Sequence, residues 1–383
     1  MSVLVIGAGA AGNKAVINLI ERGIVEEKDA FLINSTIRDI PEDFKDKAFI
    51  LDSDGCGKER VYAKKLAIDA VESGKLNFEN IVRLDHERVI IISSMEGGTG
   101  SGSVPVIAQK IYNDIGINVE IIVFKGFEDD PRGLANSIEF FQDLEPTYTV
   151  QVIDNMSFLK EANGNYKKAQ KLANDELARR VTITLGDLIV DSEDNIDGTD
   201  LYKVTNTAGY TTVEYAEVDS KISNQDQFNQ ILSEMVDNSH SLTINSPSAQ
   251  RLAVIMNLQE SSQENIDYSL SVLKEKLGNP YETYKHIEYT KNMPEFIAVI
   301  ASGMKLPIDE VVAIRDRYES ESAKTDKTED DFFNSVRSLK GNAEDKKFDM
   351  PLGRRRRPAR QTSFSTGKDQ ITSEKKLNEK SDY

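Results

Sequence analysis

The chain has 383 residues and a mass of 42.8 kDa, enough for two domains with sizeable cores, which excludes a small scaffold held together by disulfides or metals. A single cysteine, Cys56, and three scattered histidines exclude a disulfide framework and a Cys/His metal site, so a reducing compartment is expected. The net charge of −17 is uneven: residues 340–383 hold twelve Lys/Arg against seven Asp/Glu, a local +5, leaving −22 on residues 1–339, an acidic body unsuited to reading duplex DNA directly.

No run of about 18 uncharged apolar residues occurs. Met1 leads straight into the strand-like Ser2–Ile6, and the expectation is a cytoplasmic protein without signal peptide or membrane partner. Strands are predicted at Val3–Ile6, Ala30–Asn34, Ala48–Asp52, Val89–Ser93, Val119–Phe124 and Thr149–Asp154, short and mostly apolar on both parities, as parallel strands covered on two faces are. Helical patterns lie between them and end at Gly23, Gly74 and Gly116, residues suited to a left-handed helix terminus. This alternation predicts an α/β fold with a doubly wound parallel sheet.

From Tyr166 to about Leu188 a stretch without Gly or Pro until Gly186 predicts a long spacer helix. Beyond it, strands at Leu252–Leu258 and Phe296–Ala301 and a helix around Glu264–Leu277 predict a smaller α+β second domain. Pro307 opens a charged helix, and from Ser320 apolar residues almost vanish, so residues 341–383 are expected to form a disordered basic tail carrying Arg354–Arg357 and Arg360.

Two glycine loops carry the chemistry. Gly7-Ala8-Gly9-Ala10-Ala11-Gly12 follows the first strand and opens the first helix, where free N–H groups bind anions. Small residues at such a turn also serve plain packing, and the second strand ends Ile33-Asn34-Ser35-Thr36, without the carboxylate that a dinucleotide ribose requires. The second loop is more specific. Gly97 to Ser103 is an unbroken run of small residues between a buried strand and a helix, exposing several N–H and hydroxyl groups. Two such loops on one sheet suit a triphosphate.

Here the sequence resembles the tubulin/FtsZ superfamily, whose GGGTGxG loop is matched by Glu96-Gly97-Gly98-Thr99-Gly100-Ser101-Gly102, with Glu96 in place of the first glycine. A carboxylate beside phosphates is repulsive unless a cation intervenes, so Glu96 is expected to point away, the alternative being that it helps to hold Mg²⁺. Gly55-Cys56-Gly57 and Ile153-Asp154-Asn155 extend the resemblance, which spans roughly residues 1–320. It implies a GTP-binding domain over 1–164, a central helix over 165–188, a GTPase-completing domain over 189–306, a C-terminal helix over 307–340 and a tail over 341–383.

Carried over by position, the resemblance implies that Gly9, Ala10, Ala11, Gly12, Asn13 and Lys14 cradle GTP or GDP phosphates together with Gly97, Gly98, Thr99, Gly100 and Ser101. Asp130 and Arg132 would stand near the ribose. Asn155 would read ribose or base, and Asn174 the guanine, with Asp175 as the alternative. Mg²⁺ would accompany the nucleotide, with no protein ligand assigned to it. The family's catalytic element, NxDxxD in the cell-division proteins, is placed at Thr212-Val213-Glu214-Tyr215-Ala216-Glu217, with Glu214 and Glu217 expected on one helix face, where paired carboxylates polarise a water. A solvated helix face is the plain alternative for that pair.

Within the superfamily the chain looks most like the TubZ branch of plasmids and phages, which implies a self-associating head-to-tail filament that moves centromeric DNA through a TubR-like adaptor, here by way of the basic tail. A divergent FtsZ-type division GTPase is the alternative, for which Phe348-Asp349-Met350-Pro351-Leu352 would be the partner peptide. An NADP oxidoreductase using Gly7–Gly12 with Ser35 and Arg38 leaves the second loop without a purpose, and a non-hydrolysing scaffold would show no turnover.

Overall fold

The β-branched runs of the first 154 residues become six parallel strands in the computed structural model: β1 (Val3–Ala8), β2 (Ala30–Asn34), β3 (Ala48–Ile50), β4 (Arg88–Ser94), β5 (Asn118–Lys125) and β6 (Thr149–Asp154). The structure describes residues 2–51, 53–127, 130–188, 198–218, 225–243, 247–259, 266–291 and 293–320. The expected basic tail lies outside the described residues. Successive side chains of a strand face opposite ways, and the burial follows. Leu4, Ile6, Val89, Ile91, Ile121 and Val123 pack on one face with Ile107 and Ile111, while Val3, Val5, Ile90, Ile92 and Ile122 pack on the other with Val16 and Leu19.

The covering helices are α1 (Gly9–Glu21), α2 (Arg60–Glu72), α3 (Thr99–Ile115), α4 (Pro131–Gln142), α5 (Asn155–Glu161) and α6 (Tyr166–Leu185). Gly23 (φ 71°), Gly74 (φ 72°) and Gly116 (φ 74°) take the left-handed conformation expected where α1, α2 and α3 stop. The long spacer helix is α6, and Gly186 caps it with φ 86°. Its Ala169, Ala173, Leu177 and Val181 join the cluster that holds α1 to β1 and β4.

Among the described residues one ten-stranded sheet runs through the chain in the order β3-β2-β1-β4-β5-β6-β7-β10-β8-β9. The second half adds β7 (Gly209–Glu217), β8 (Arg251–Asn257), β9 (Glu282–Glu288) and β10 (Phe296–Met304), with α7 (Gly198–Thr205), α8 (Gln225–Asp237) and α9 (Ile266–Lys276). β7 joins β6 through only Thr149↔Gly209 and Val150↔Tyr210, whereas β10 pairs extensively and antiparallel with both β7 and β8. Residues 308–320 are helical, as the pattern after Pro307 predicts.

One element differs from expectation. The segment Thr212–Glu217, read as a loop and helix start, is the second half of strand β7. Thr211, Thr212, Val213 and Tyr215 are β-branched or aromatic, and the antiparallel partner β10 supplies a full ladder, from Thr212↔Ala301 to Glu217↔Phe296.

Candidate nucleotide-binding site

The strand order 3-2-1-4-5-6 reverses direction between β1 and β4, and a doubly wound sheet opens a crevice outside the carboxyl ends of its strands at that point. Both glycine loops stand there, one after β1 and one after β4. They line a cavity of about 360 Å³ through Gly9, Ala10, Ala11, Gly97, Gly98, Thr99 and Gly100. A second cavity of about 220 Å³ adjoins it, sharing Ala11 and Ser94, and is lined by Lys14, Asn155 and Asn174 with Phe124, Phe127 and Gln170.

The helix termini at this crevice are left open. α4, α5 and α6 begin with side-chain caps from Asp130, Asp154 and Asn165, whereas α1 and α3 have no side-chain cap and no acidic residue in the first turn. Their N–H groups and positive dipole ends are therefore available to a negatively charged ligand. The loops fit closely against one another: Gly9 has φ 75°, and a Cβ on it would come 3.0 Å from the Gly100 nitrogen. Ser35 Oγ lies 2.8 Å from Thr99 Oγ1 and ties the end of β2 to the second loop.

The adjoining cavity has the chemistry of a base site. Asn155 is 8% exposed and its Oδ1 has no hydrogen-bond partner, an orphaned acceptor beside the apolar faces of Phe124 and Phe127. Asn174 lines the same space, while its neighbour Asp175 is held 2.5 Å from Arg22. Asn174 is thus the residue that the structure presents. A nucleoside triphosphate suits the pair of cavities, phosphates on the glycine loops and base beside Asn155. The Mg²⁺ expected with it has no dedicated cage, since no group of three or more His, Cys, Asp or Glu that would hold a metal occurs among the described residues.

Several expected ligands lie elsewhere. Gly12 is a packing glycine, because a Cβ there would overlap the Ile92 carbonyl. Asn13 is buried and donates from Nδ2 to the Ile33 carbonyl at 3.1 Å. The Ser101 hydroxyl turns back to the Gly97 carbonyl within its own helix. Asp130 caps α4 by accepting from the Gly133 N–H at 2.9 Å and pairs with Lys58 at 2.6 Å, and Arg132 is spent on Glu59 and the Lys58 carbonyl. Neither lines either cavity. Glu96 points away, as expected: it packs against Gly126 and Gly133, and burial raises its carboxyl above the usual range. Asn34, Thr36 and Asp39 line the larger cavity without having been singled out, although polar residues just past a strand beside the switch point are a readable signal.

Glu214 and Glu217 both line a cavity of about 300 Å³ with Glu176, Arg179 and Glu234, but their side chains diverge. Three residues apart on a strand, they face opposite sides of the sheet. Glu214 is 7% exposed and accepts hydrogen bonds from Ser239 Oγ at 2.5 Å and Ser241 Oγ at 2.8 Å. Arg180 of α6 donates to the same Ser241 hydroxyl at 3.0 Å and to Glu176 at 2.8 Å. Burial pushes the Glu214 carboxyl up to about 7, with Arg180 and the two serines opposing. A carboxyl held inside such a network is tied to the core on one side and borders a cavity on the other.

A pattern closer to NxDxxD was passed over. Asn195-Ile196-Asp197-Gly198-Thr199-Asp200 matches it letter for letter just after the long helix. Residues 195–197 lie outside the described residues, but Asp200 is in the first turn of α7, with Lys203 Nζ at 2.9 Å. Its neighbour Tyr202 bonds Asn118 at the start of β5, the end of the sheet opposite the cavities. From Asn174 to Gly186 alone, α6 spans about 18 Å. Asp200 is therefore remote from this chain's own cavities.

Comparison with known proteins agrees with this geometry. Residues 2–163 match the Tubulin/FtsZ family, GTPase domain. The chain is 26% identical over 227 residues to Cell division protein FtsZ 1 of Methanocaldococcus jannaschii, a match covering 57% of this chain and 60% of that protein. The chain thus spans about 60% of the length of this curated relative. Its structure is similar to the GTPγS-bound CetZ2 protofilament of Haloferax volcanii, with a TM-score of 0.68 and 16% identity over 85% of this chain and 100% of that one. It is also similar to the GTPγS-form TubZ protofilament of Bacillus thuringiensis serovar israelensis, with a TM-score of 0.67 and 16% identity over 86% of this chain and 94% of that one. The fold is that of tubulin and FtsZ.

Proposed function

We propose, from the match of residues 2–163 to the Tubulin/FtsZ family GTPase domain, that the protein binds GTP, assembles head to tail and hydrolyses the nucleotide between subunits. The observation that carries the reading is polar separation. The two uncapped helix ends face a cavity at the carboxyl ends of the strands, and Asp200 stands at the other end of the sheet. Head-to-tail stacking brings the Asp200 of one subunit over the cavity of the next. A carboxylate there polarises the attacking water. In this reading Asp200 takes the role assigned from sequence to Glu214 and Glu217.

The phosphates rest on the N–H groups of Gly9–Ala11 and Gly97–Gly100 and on Thr99, with Lys14 nearby, and Mg²⁺ neutralises them. Asn155 and Asn174 read the nucleoside. GTP is expected to bind at least tenfold more tightly than ATP, roughly the effect of one matched hydrogen bond at a base edge. Calorimetric titration of the unassembled protein checks this, and equal affinities would contradict the assignment of Asn155 and Asn174.

The cargo reading is finer. An acidic body with a basic run at Arg354–Arg357 fits a filament that displays many weak sites to a DNA-bound adaptor, gaining avidity from repetition. Cosedimentation of adaptor and DNA with full-length and 341–383-truncated filaments separates DNA transport from a division role. Salt-sensitive recovery with the full-length chain alone is the expected result, and equal recovery with both would remove the tail from the account.

A further inference from the structure

We propose that the buried Arg88 and Glu120 and the half-buried Asn118, at the starts of β4 and β5, form a two-point clamp that positions Asp200 for its work on the neighbouring subunit. The proposal rests on the reading of Asp200 given above. Arg88 and Glu120 are 0% and 1% exposed and sit at the amino ends of their strands, remote from the nucleotide cavities, so neither can touch the bound ligand.

One half of the clamp holds the end of α6, and the other holds α7, the helix that carries Asp200. Arg88 Nη1 pairs with Glu120 Oε2 at 3.2 Å, and its Nη2 donates to the Thr184 carbonyl at 2.7 Å. Thr184 is in the last turn of α6, where carbonyls lack helical partners and a cation is favoured. Glu120 is in turn fixed by Gln151 Nε2 at 2.5 Å. On the far side, Asn118 Nδ2 donates to Tyr202 Oη at 2.6 Å, two residues from Asp200 on α7. Arg88 and Asn118 are register partners across β4 and β5, so both anchors stand side by side on one sheet.

The surrounding strands are built of Val and Ile, and an apolar pair would fill the Arg88–Glu120 space at no loss of stability. A buried ion pair is better explained by what it holds in place. With Tyr202, two residues away on α7, tied to Asn118 beside the Arg88–Glu120 pair, the position of Asp200 is set relative to the subunit body that docks on the next nucleotide. An error of about 1 Å in that position is enough to cost on the order of a hundredfold in rate.

The test uses the full chain with Tyr202→Phe, Asn118→Ala, Asp200→Ala, and Arg88→Met combined with Glu120→Leu so that no buried charge is left alone. GTP affinity of unassembled protein, assembly threshold and turnover per assembled subunit are measured for each. The clamp variants are expected to lose about tenfold or more in turnover, with affinity and threshold within about twofold of wild type. Adding Tyr202→Phe to Asp200→Ala is expected to lower turnover no further, because the clamp acts through Asp200. A multiplicative loss in that double variant would show a general structural role and overturn the clamp. Wild-type turnover in Tyr202→Phe and Asn118→Ala beside a slow Asp200→Ala would overturn the clamp and leave the reading of Asp200 standing. Wild-type turnover in Asp200→Ala would overturn that reading itself.

Discussion

At the scale of single residues, Glu214 shows how a carboxylate with a catalytic spacing can belong to the core. Its folded pKa is pushed up to about 7 from an ordinary value of 4.5, because burial outweighs Arg180 and the two serine donors. A raised carboxyl favours the protonated fold, so this contribution is complete below about pH 4.5 and is lost as pH rises through about 7. Glu214→Gln mimics the protonated form. The variant is expected to match wild-type stability at pH 4 and to exceed it by on the order of 3 kcal/mol at pH 8. Denaturant unfolding at the two pH values checks this, and a constant difference would show that Glu214 is not the titrating group. Asn155 makes the opposite case. Its Oδ1 is buried without a partner, so Asn155→Ala leaves no hydrogen bond of that oxygen broken and is expected to leave the melting temperature nearly unchanged, while weakening GTP binding by about 1–3 kcal/mol. Unchanged affinity in a titration would separate Asn155 from the ligand.

At the scale of elements, the glycine loops combine packing and binding, and single substitutions distinguish the two. A Cβ added at Gly97 would meet nothing within 4 Å, whereas one at Gly12 would overlap the Ile92 carbonyl of β4. Gly97→Ala is expected to keep its stability within about 0.5 kcal/mol and to lose nucleotide affinity, because the added methyl enters the cavity. Gly12→Ala is expected to destabilise by about 1–3 kcal/mol through overpacking. Thermal melts with and without GTP resolve the four outcomes. These loops were legible because a run of small residues between a buried strand and a helix has few other uses. All six parallel strands were legible for the same reason, since Val and Ile on both parities fit little else. The strand at Thr212–Glu217 was not. Its two glutamates drew it towards a functional motif, and the β-branched Thr211, Thr212 and Val213 that fix it as a strand carry a weaker signal than spacing suggested.

At the scale of the whole molecule, one sheet places the glycine-loop crevice at one end and Asp200 at the other. The positions of Asp130 and Arg132 were not legible, because which residues reach a cavity past a loop depends on how Lys58 and Glu59 fold back onto them. In the proposed function, the separation of the two ends is what makes assembly part of the chemistry. GTP turnover per subunit, measured across protein concentrations for the wild-type chain and for Asp200→Ala, tests this most directly. The wild type is expected to be nearly silent when dilute and to rise steeply above a threshold, with Asp200→Ala assembling at a similar threshold yet turning over slowly. Turnover per subunit that is independent of concentration, or an Asp200→Ala variant that hydrolyses at the wild-type rate, would contradict it.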